Sequence, residues 1–291
     1  MFGDLASIIA PVFICAGIGF IWQKQGRPYD TDLITTLITN IGTPCLVFFT
    51  LHEANLKVAD FGIMALATIL AITGFAAVGG VVLRLSGLSF RAYAPSIMFS
   101  NSGNMGLPLC LLAFGEAGLA LAIVFFAVSA IQQFTVGIVI SSGSMSFEKL
   151  LKVPIIYAVA LALLIMALDL KAPEAIVNTA QILGGMTIPM MLITLGISLA
   201  KLRITSLGRS VGLSVLRLVL GFAGGWLVAM VLGLEGVERG VLIVQSAMPV
   251  AVFNYLFAQR YNTAPEEVAG MVVLSTVLSF ATLPALLWFV L

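Results

Sequence analysis

One segment of the chain combines residue types that could bind an anion within an otherwise apolar stretch. Residues 94–108 contain two prolines, two glycines and two asparagines. Proline removes a helical hydrogen bond and glycine loosens the backbone, so we expect a helix to break here. A helix N-terminus exposed at such a break offers unpaired N–H donors and roughly half a positive charge to an anion. The residues predicted to bind are Asn101, Ser102, Gly103 and Asn104, with hinges at Gly106 and Pro108.

A second polar break is predicted at Gln245-Ser246-Ala247-Met248-Pro249. Two broken helices that cross at the middle of a membrane would direct their N-termini at one point. The candidates from this segment are Gln245, Ser246, Pro249 and Val250, and Pro249 is also a candidate hinge. The alternative interpretation is that both segments are packing kinks in a tight helical bundle.

Other polar residues lie in apolar stretches. Thr43 precedes a proline and is a candidate for lining the same path, although threonine often bonds its own helix. Ser129, Gln132 and Gln133 share one stretch, and a glutamine in hydrocarbon needs a partner, so at least one should face the crossing. Arg217 is a cation within a span and therefore a candidate for function, but it lies about two turns from the end of its stretch and could snorkel to the membrane surface, so we favour a structural role.

The residues that would support catalysis or ion coupling are missing from the predicted spans. No Asp or Glu falls in the centre of a span, and the single histidine, His52, lies at the end of one. Proton relays need such groups, and intramembrane proteolysis needs a Ser–His pair or a metal motif. The cysteine spacing fits neither zinc nor disulfides. We therefore expect no enzyme, no catalytic residue, no metal site, no cofactor and no coupling through a buried carboxylate.

The composition places the chain in a membrane. Of its 291 residues 60% are hydrophobic and only 9% charged, and the mean hydropathy is +1.14. These charges are too few to cover a soluble globule of this size, so a soluble protein is excluded. The net charge of +1 gives no field that would attract nucleic acid. The expected partners are the lipid bilayer and a small organic anion.

Ten apolar segments of membrane-spanning length predict an all-α integral membrane protein. They cover residues 5–22, 33–51, 62–83, 93–114, 118–140, 153–169, 176–200, 210–232, 238–258 and 268–290. The basic residues that follow odd-numbered segments are Lys24, Arg27, Arg84, Arg91, Lys149, Lys152, Lys201, Arg203, Arg209 and Arg260. Those that follow even-numbered segments are Lys57, Lys171 and Arg239. The positive-inside rule places the larger set in the cytoplasm and both termini outside.

The two halves of the chain share landmarks. Pro11, Pro28, Pro44 and the tripeptide 74–76 recur as Pro154, Pro173, Pro189 and residues 221–223. We interpret this as duplication of a five-helix unit, over 1–143 and 144–291. An odd number of spans turns the second unit over in the membrane, and such inverted repeats are typical of secondary transporters.

The crossover segments resemble those of the auxin efflux carrier family. Residues Asn101-Ser102-Gly103-Asn104-Met105-Gly106-Leu107-Pro108 are similar to its first crossover, and Ala247-Met248-Pro249 with Phe257-Ala258-Gln259-Arg260-Tyr261-Asn262 to its second. The resemblance implies an elevator transporter, with spans 1, 2, 6 and 7 as a scaffold that often dimerises and spans 3–5 and 8–10 as the mobile domain. It implies that Asn101 contacts a substrate carboxylate, that Pro249 is the second crossing proline, and that Thr43 with Ser129 or Gln132 completes the pocket.

The chain lacks the long cytoplasmic loop of the plant carriers, because only residues 141–152 join its halves. In this it resembles the bacterial branch, whose members move small carboxylates such as malate or malonate across the inner plasma membrane. We therefore expect a secondary transporter of organic anions that works by alternating access. Two alternatives stay open: a sodium-coupled symporter of the related bile-acid type, and a channel or sensor-like membrane protein.

Overall fold

The computed structural model describes residues 2–54, 58–143, 154–168, 170, 172–202 and 207–291. Its regular structure in these ranges is helical, without a strand. The α-helices are α1 Phe2–Lys24, α2 Thr31–Leu37, α3 Thr43–Glu53, α4 Val58–Leu85, α5 Phe90–Met98, α6 Leu107–Gln132, α7 Ile138–Ser142, α8 Pro154–Ala167, α9 Glu174–Gly185, α10 Thr187–Lys201, α11 Leu207–Val231, α12 Gly236–Ala247, α13 Val252–Tyr261 and α14 Pro265–Val290. Three π-helical turns, Ile38–Gly42, Ser102–Gly106 and Gln133–Gly137, join neighbouring helices.

Seven helical segments in the described part are long and apolar enough to cross a membrane. They are Leu5–Lys24, Thr31–Glu53, Ala59–Leu85, Ser102–Ser142, Glu174–Lys201, Leu207–Val231 and Pro265–Val290. The protein is therefore a helical, multi-pass membrane protein. Five of the basic residues from which the orientation is predicted lie outside the described residues, namely Lys57, Lys149, Lys152, Lys171 and Arg203, and so does Asp169 at the end of the predicted span 153–169.

The 41-residue segment Ser102–Ser142 contains an interruption. At Gly115 the backbone has φ 67° and ψ −159°, a conformation that residues with a side chain rarely adopt. This is the boundary at which the sequence pattern separates the segments 93–114 and 118–140. The chain therefore turns at Gly115 while the helical backbone continues on both sides.

Two sets of helices pack closely. In one set α1 runs along α10, and α3 lies against α8 and α9. In the other, α11 contacts α12, α14 and α4, and α6 contacts α12. Lipid is as apolar as these side chains, so van der Waals contact and hydrogen bonds between helices hold such sets together.

Candidate functional site

The two predicted helix breaks meet in the structure. Helix α5 ends at Met98 and α12 ends at Ala247, and the extended residues that follow pair with each other. The N–H of Asn101 donates to the carbonyl of Pro249 at 2.7 Å, and the N–H of Ala251 donates to the carbonyl of Phe99 at 3.2 Å. These two bonds form an antiparallel bridge between Ser100 and Val250. Each break thus satisfies backbone groups of the other, as non-helical backbone buried in a membrane protein requires.

The breaks are shorter than the sequence pattern suggests. Non-helical backbone covers residues 99–101 and 248–251, whereas the sequence predicted breaks within residues 94–108 and 245–249. Helical geometry resumes at Ser102 as a π turn, and Gly106 ends that turn. Pro108 is the second residue of α6, but because the helical backbone already begins at Ser102, its missing N–H falls just after the π turn and not at a free helix start. Gly106 has a packing role as well, since a Cβ there would lie 2.1 Å from Gln245 Oε1.

Buried side chains bond the remaining backbone groups of the crossing. The N–H of Val250 donates to Ser275 Oγ at 3.0 Å. Asn254 Nδ2 donates to the carbonyl of Phe99 at 3.1 Å, and Gln133 Nε2 donates to Asn254 Oδ1 at 2.8 Å. Gln133 therefore reaches the crossing, as required of one glutamine in that stretch. Sequence reasoning missed Ser275 and Asn254, although both are polar residues in apolar stretches.

A cavity of about 690 Å³ lies beside the crossing. The first residues of two helical segments line it: Ser102, Gly103 and Asn104 on one side, Val252 and Phe253 on the other. The first N–H groups of a helix have no partner within that helix. Asn101 also lines the cavity, and its Nδ2 has no hydrogen-bond partner among the described residues. Residues from both breaks therefore line one space, and next to it Asn101 has a buried amide donor without a partner in the described ranges.

A row of threonines four residues apart also lines the cavity. Thr31, Thr35, Thr39 and Thr43 all line it, and so do Thr36 and Asn40. Residues four apart drift by about 40° per step around an α-helix, and the wider π turn Ile38–Gly42 offsets part of this drift. Sequence reasoning identified only Thr43, although the spacing of four was readable.

Charged and phenolic groups lie at the start of this threonine row. Asp32 and Lys201 are the charged side chains that line the cavity within the described ranges, and Lys201 Nζ donates to Thr31 Oγ1 at 2.6 Å. Nearby, the hydroxyls of Tyr29 and Thr194 are 2.7 Å apart. Burial raises the pKa of the Tyr29 phenol, while the bond to Thr194 lowers it by less. The phenol therefore stays neutral near pH 7.

The structure brings together some of the predicted site residues and separates others. Asn101, Ser102, Gly103, Asn104 and Thr43 line the cavity. Pro249 and Val250 form the backbone bridge, and Gln245 and Ser246 are buried at the end of α12 behind it. Ser129 is buried away from the cavity wall, and Gln133 lies in that wall where Gln132 was the candidate. Their roles in binding stay predictions.

Arg217 does not reach the membrane surface. Its side chain is fully buried, against the expectation that it could snorkel. Its Nη2 donates to the carbonyl of Ser246 at 2.7 Å, at the end of α12. Two glycines on the same helix permit this approach, because a Cβ at Gly221 or Gly225 would lie 2.3 Å from Ser246 O or 2.7 Å from Ser246 Cβ.

Comparison with known proteins identifies the family. A family model described as membrane transport protein matches residues 5–149 and again residues 138–288. The chain belongs to this family. Membership confirms the resemblance to auxin efflux carriers that the crossover motifs indicated. The family comprises membrane transporters and not enzymes, so this chain is a membrane transport protein.

Several curated members of the family are similar to the chain. An uncharacterized transporter of Methanothermobacter thermautotrophicus is 25% identical over 300 residues, covering 96% of this chain and 96% of the relative. Another, of Methanocaldococcus jannaschii, is 23% identical over 301 residues, covering 97% and 96%. Auxin efflux carrier component 1 of Arabidopsis thaliana is 31% identical over 121 residues, which is 40% of this chain and 18% of that protein.

Proposed function

We propose that the protein is a secondary transporter of small organic anions, with a carboxylate held at the crossing of the two helix breaks. The observation that carries the proposal is that the first residues of two helical segments line one cavity together with Asn101, whose buried Nδ2 has no partner among the described residues. The substrates that fit are carboxylates of the malate or malonate kind, or of the auxin kind that the name of the Arabidopsis relative mentions.

The electrostatics of the site favour an anion. Each helix N-terminus carries roughly half a positive charge, and its free N–H groups match carboxylate oxygens. A buried amide donor without a partner costs about 1–3 kcal/mol, and a bound carboxylate would remove that cost at Asn101. The nearest acidic side chain in the lining, Asp32, belongs to the first turn of α2, about three turns before Thr43.

For the architecture we propose ten spans in two inverted repeats, over 1–143 and 144–291. In each half the short helix that ends at the break, α5 or α12, is preceded by a long helix, α4 or α11. Each half also has a span that changes geometry next to a proline: the π turn Ile38–Gly42 before Pro44, and the junction at Met186 before Pro189. These paired irregularities support duplication.

For the mechanism we propose elevator-type alternating access. The scaffold would consist of α1–α3 and α8–α10, and the mobile domain of α4–α7 and α11–α14. The cavity lies between these two sets, with the threonine row on one side and the crossing on the other. In this proposal a homodimer forms through the scaffold, and the protein lies in the inner plasma membrane with both termini outside.

The test measures carboxylate binding by thermal shift and uptake into proteoliposomes, with the wild type, Asn101→Ala and a control. Indole-3-acetate, malate and malonate are each tested with sodium and with choline. A hydrogen bond to a charged group contributes about 1.5–3 kcal/mol, so Asn101→Ala should weaken binding about 10- to 150-fold. The control is Asn178→Ala, an exposed asparagine that does not line the cavity.

Three outcomes would contradict the proposal. If Asn101→Ala and the wild type bind with equal affinity, the anion does not bind at the crossing. A strict requirement for sodium would favour the symporter interpretation. Steady conductance without saturable uptake would favour a channel.

A further inference from the structure

Arg217 is a buried cation without an acidic partner among the described residues. Its guanidinium carbon lies 5.0 Å from the centre of the Phe75 ring, and its Nη2 bonds the carbonyl of Ser246. Its Nε and Nη1 have no hydrogen-bond partner in the described part of the chain. A buried and incompletely bonded guanidinium is expensive inside a membrane protein. Stability of the helix pair alone therefore does not account for it.

The position of this charge relates it to the crossing. Ser246 lies in the last turn of α12, where the free carbonyls carry roughly half a negative charge. In ion-coupled carriers with broken helices, such a C-terminal end is a place where a coupling cation binds. Arg217 occupies this end from the side of α11.

We propose that Arg217 supplies a permanent positive charge next to the crossing. Its fixed charge neutralises the C-terminal end of α12 and attracts the anion on the cavity side, without touching it. A coupling cation then has no vacant place at this helix end. This inference rests on the proposed function, because it concerns the energy of an anion at that site.

The structure bounds the distance over which the charge acts. Ser246 and Pro249 are three residues apart, which is at most about 11 Å of extended chain. Pro249 O accepts from Asn101 N at 2.7 Å, and Ser246 O accepts from Arg217 at 2.7 Å. The guanidinium is thus within roughly 16 Å of Asn101. With an effective dielectric constant of about 20, one charge over roughly 10–16 Å changes the affinity for a monoanion about 5- to 15-fold.

Three substitutions separate the charge from the hydrogen bond and the volume. Arg217→Lys keeps the charge, Arg217→Gln keeps a donor for Ser246 O, and Arg217→Met keeps only the length. The probes are indole-3-acetate as a monoanion and malonate as a dianion, measured by calorimetry at pH 7.5. Arg217→Lys should bind like the wild type. Arg217→Gln and Arg217→Met should both bind the monoanion about 5- to 15-fold more weakly, and the dianion by about the square of that factor.

The control for a change in net charge is Arg84→Gln, an exposed residue near the end of α4, which should leave both affinities unchanged. If Arg217→Gln binds like the wild type, the charge of Arg217 does not affect anion binding, and the inference is wrong. Equal losses for mono- and dianion would also overturn it, because a structural defect does not depend on ligand charge.

A measurement on the wild type alone decides the case if the variants do not fold. The inference requires that replacing choline by sodium leaves the affinity for both probes unchanged. Tighter binding in sodium would mean that a cation site is still vacant at the crossing, which contradicts the inference but leaves anion transport standing. If the wild type binds neither probe, the proposed function fails first and this inference fails with it.

Discussion

Replacing Gly221 by alanine tests how closely α11 must approach the end of α12. The added Cβ would lie 2.3 Å from the carbonyl oxygen of Ser246 and 3.2 Å from Ala247 Cα. Both neighbours are backbone atoms, so no side chain can rotate away. Ordinary contact begins at about 3.4 Å, and the two helices must therefore separate by about 1 Å.

Two costs follow from that separation. Overpacking of this kind destabilises by about 1–3 kcal/mol. The Arg217 bond to Ser246 O, 2.7 Å long, would lengthen beyond the usual limit for a hydrogen bond. We expect the free energy of unfolding to fall by about 3 kcal/mol, which lowers Tm by roughly 6–12 °C.

The matched control is Gly212→Ala on the same helix, where an added Cβ meets nothing within 4 Å. Alanine is the better helix former, so this variant should be as stable as the wild type or up to about 1 kcal/mol more stable. The assay is thermal unfolding of the purified proteins in detergent, followed by tryptophan fluorescence. A difference of less than roughly 1 °C between the Tm values of the two variants would refute the close approach of α11 and α12.

Two further predictions concern the crossing and the cavity. A double-mutant cycle with Gln133→Met and Asn254→Leu should give a coupling energy of about 0.6–1.7 kcal/mol in thermal unfolding, because the two amides bond at 2.8 Å; strictly additive effects would contradict that bond. In a variant without native cysteines, Thr39→Cys should react with a charged, membrane-impermeant thiol reagent, whereas Ile18→Cys, 50% exposed on the outer surface, should not, because it faces lipid. Equal labelling of both positions would mean that Thr39 is not in an aqueous cavity.

Much of the crossing was predictable because proline, glycine and asparagine act on their own stretch of backbone. The segments around Asn101 and Pro249 were identified from composition alone. The residue at which each helix stops could not be predicted from the sequence, because it depends on bonds from distant residues such as Asn254. For the same reason Gln133 and not Gln132 lies in the cavity wall: the choice follows from the partner across the crossing.

Arg217 shows the limit of arguments from hydrophobic pattern. Its distance from the end of the span suggested that it could snorkel. Gly221 and Gly225 instead bring the end of α12 so close that the guanidinium bonds a carbonyl there and stays buried. Arg217, Gly221 and Gly225 are spaced four residues apart, which is visible in the sequence. Which helix packs against this face is not.

The sequence by itself determined that the protein lies in a membrane, that it is helical, and where two of its helices break. Those properties follow from side-chain transfer energies and local backbone preferences, which act within a few residues. Only the tertiary structure decided that the two breaks, about 150 residues apart, pair with each other and border one cavity. The pairing uses backbone C=O groups, which every residue carries, and N–H groups, which only proline lacks, so it leaves no signature in the order of side chains.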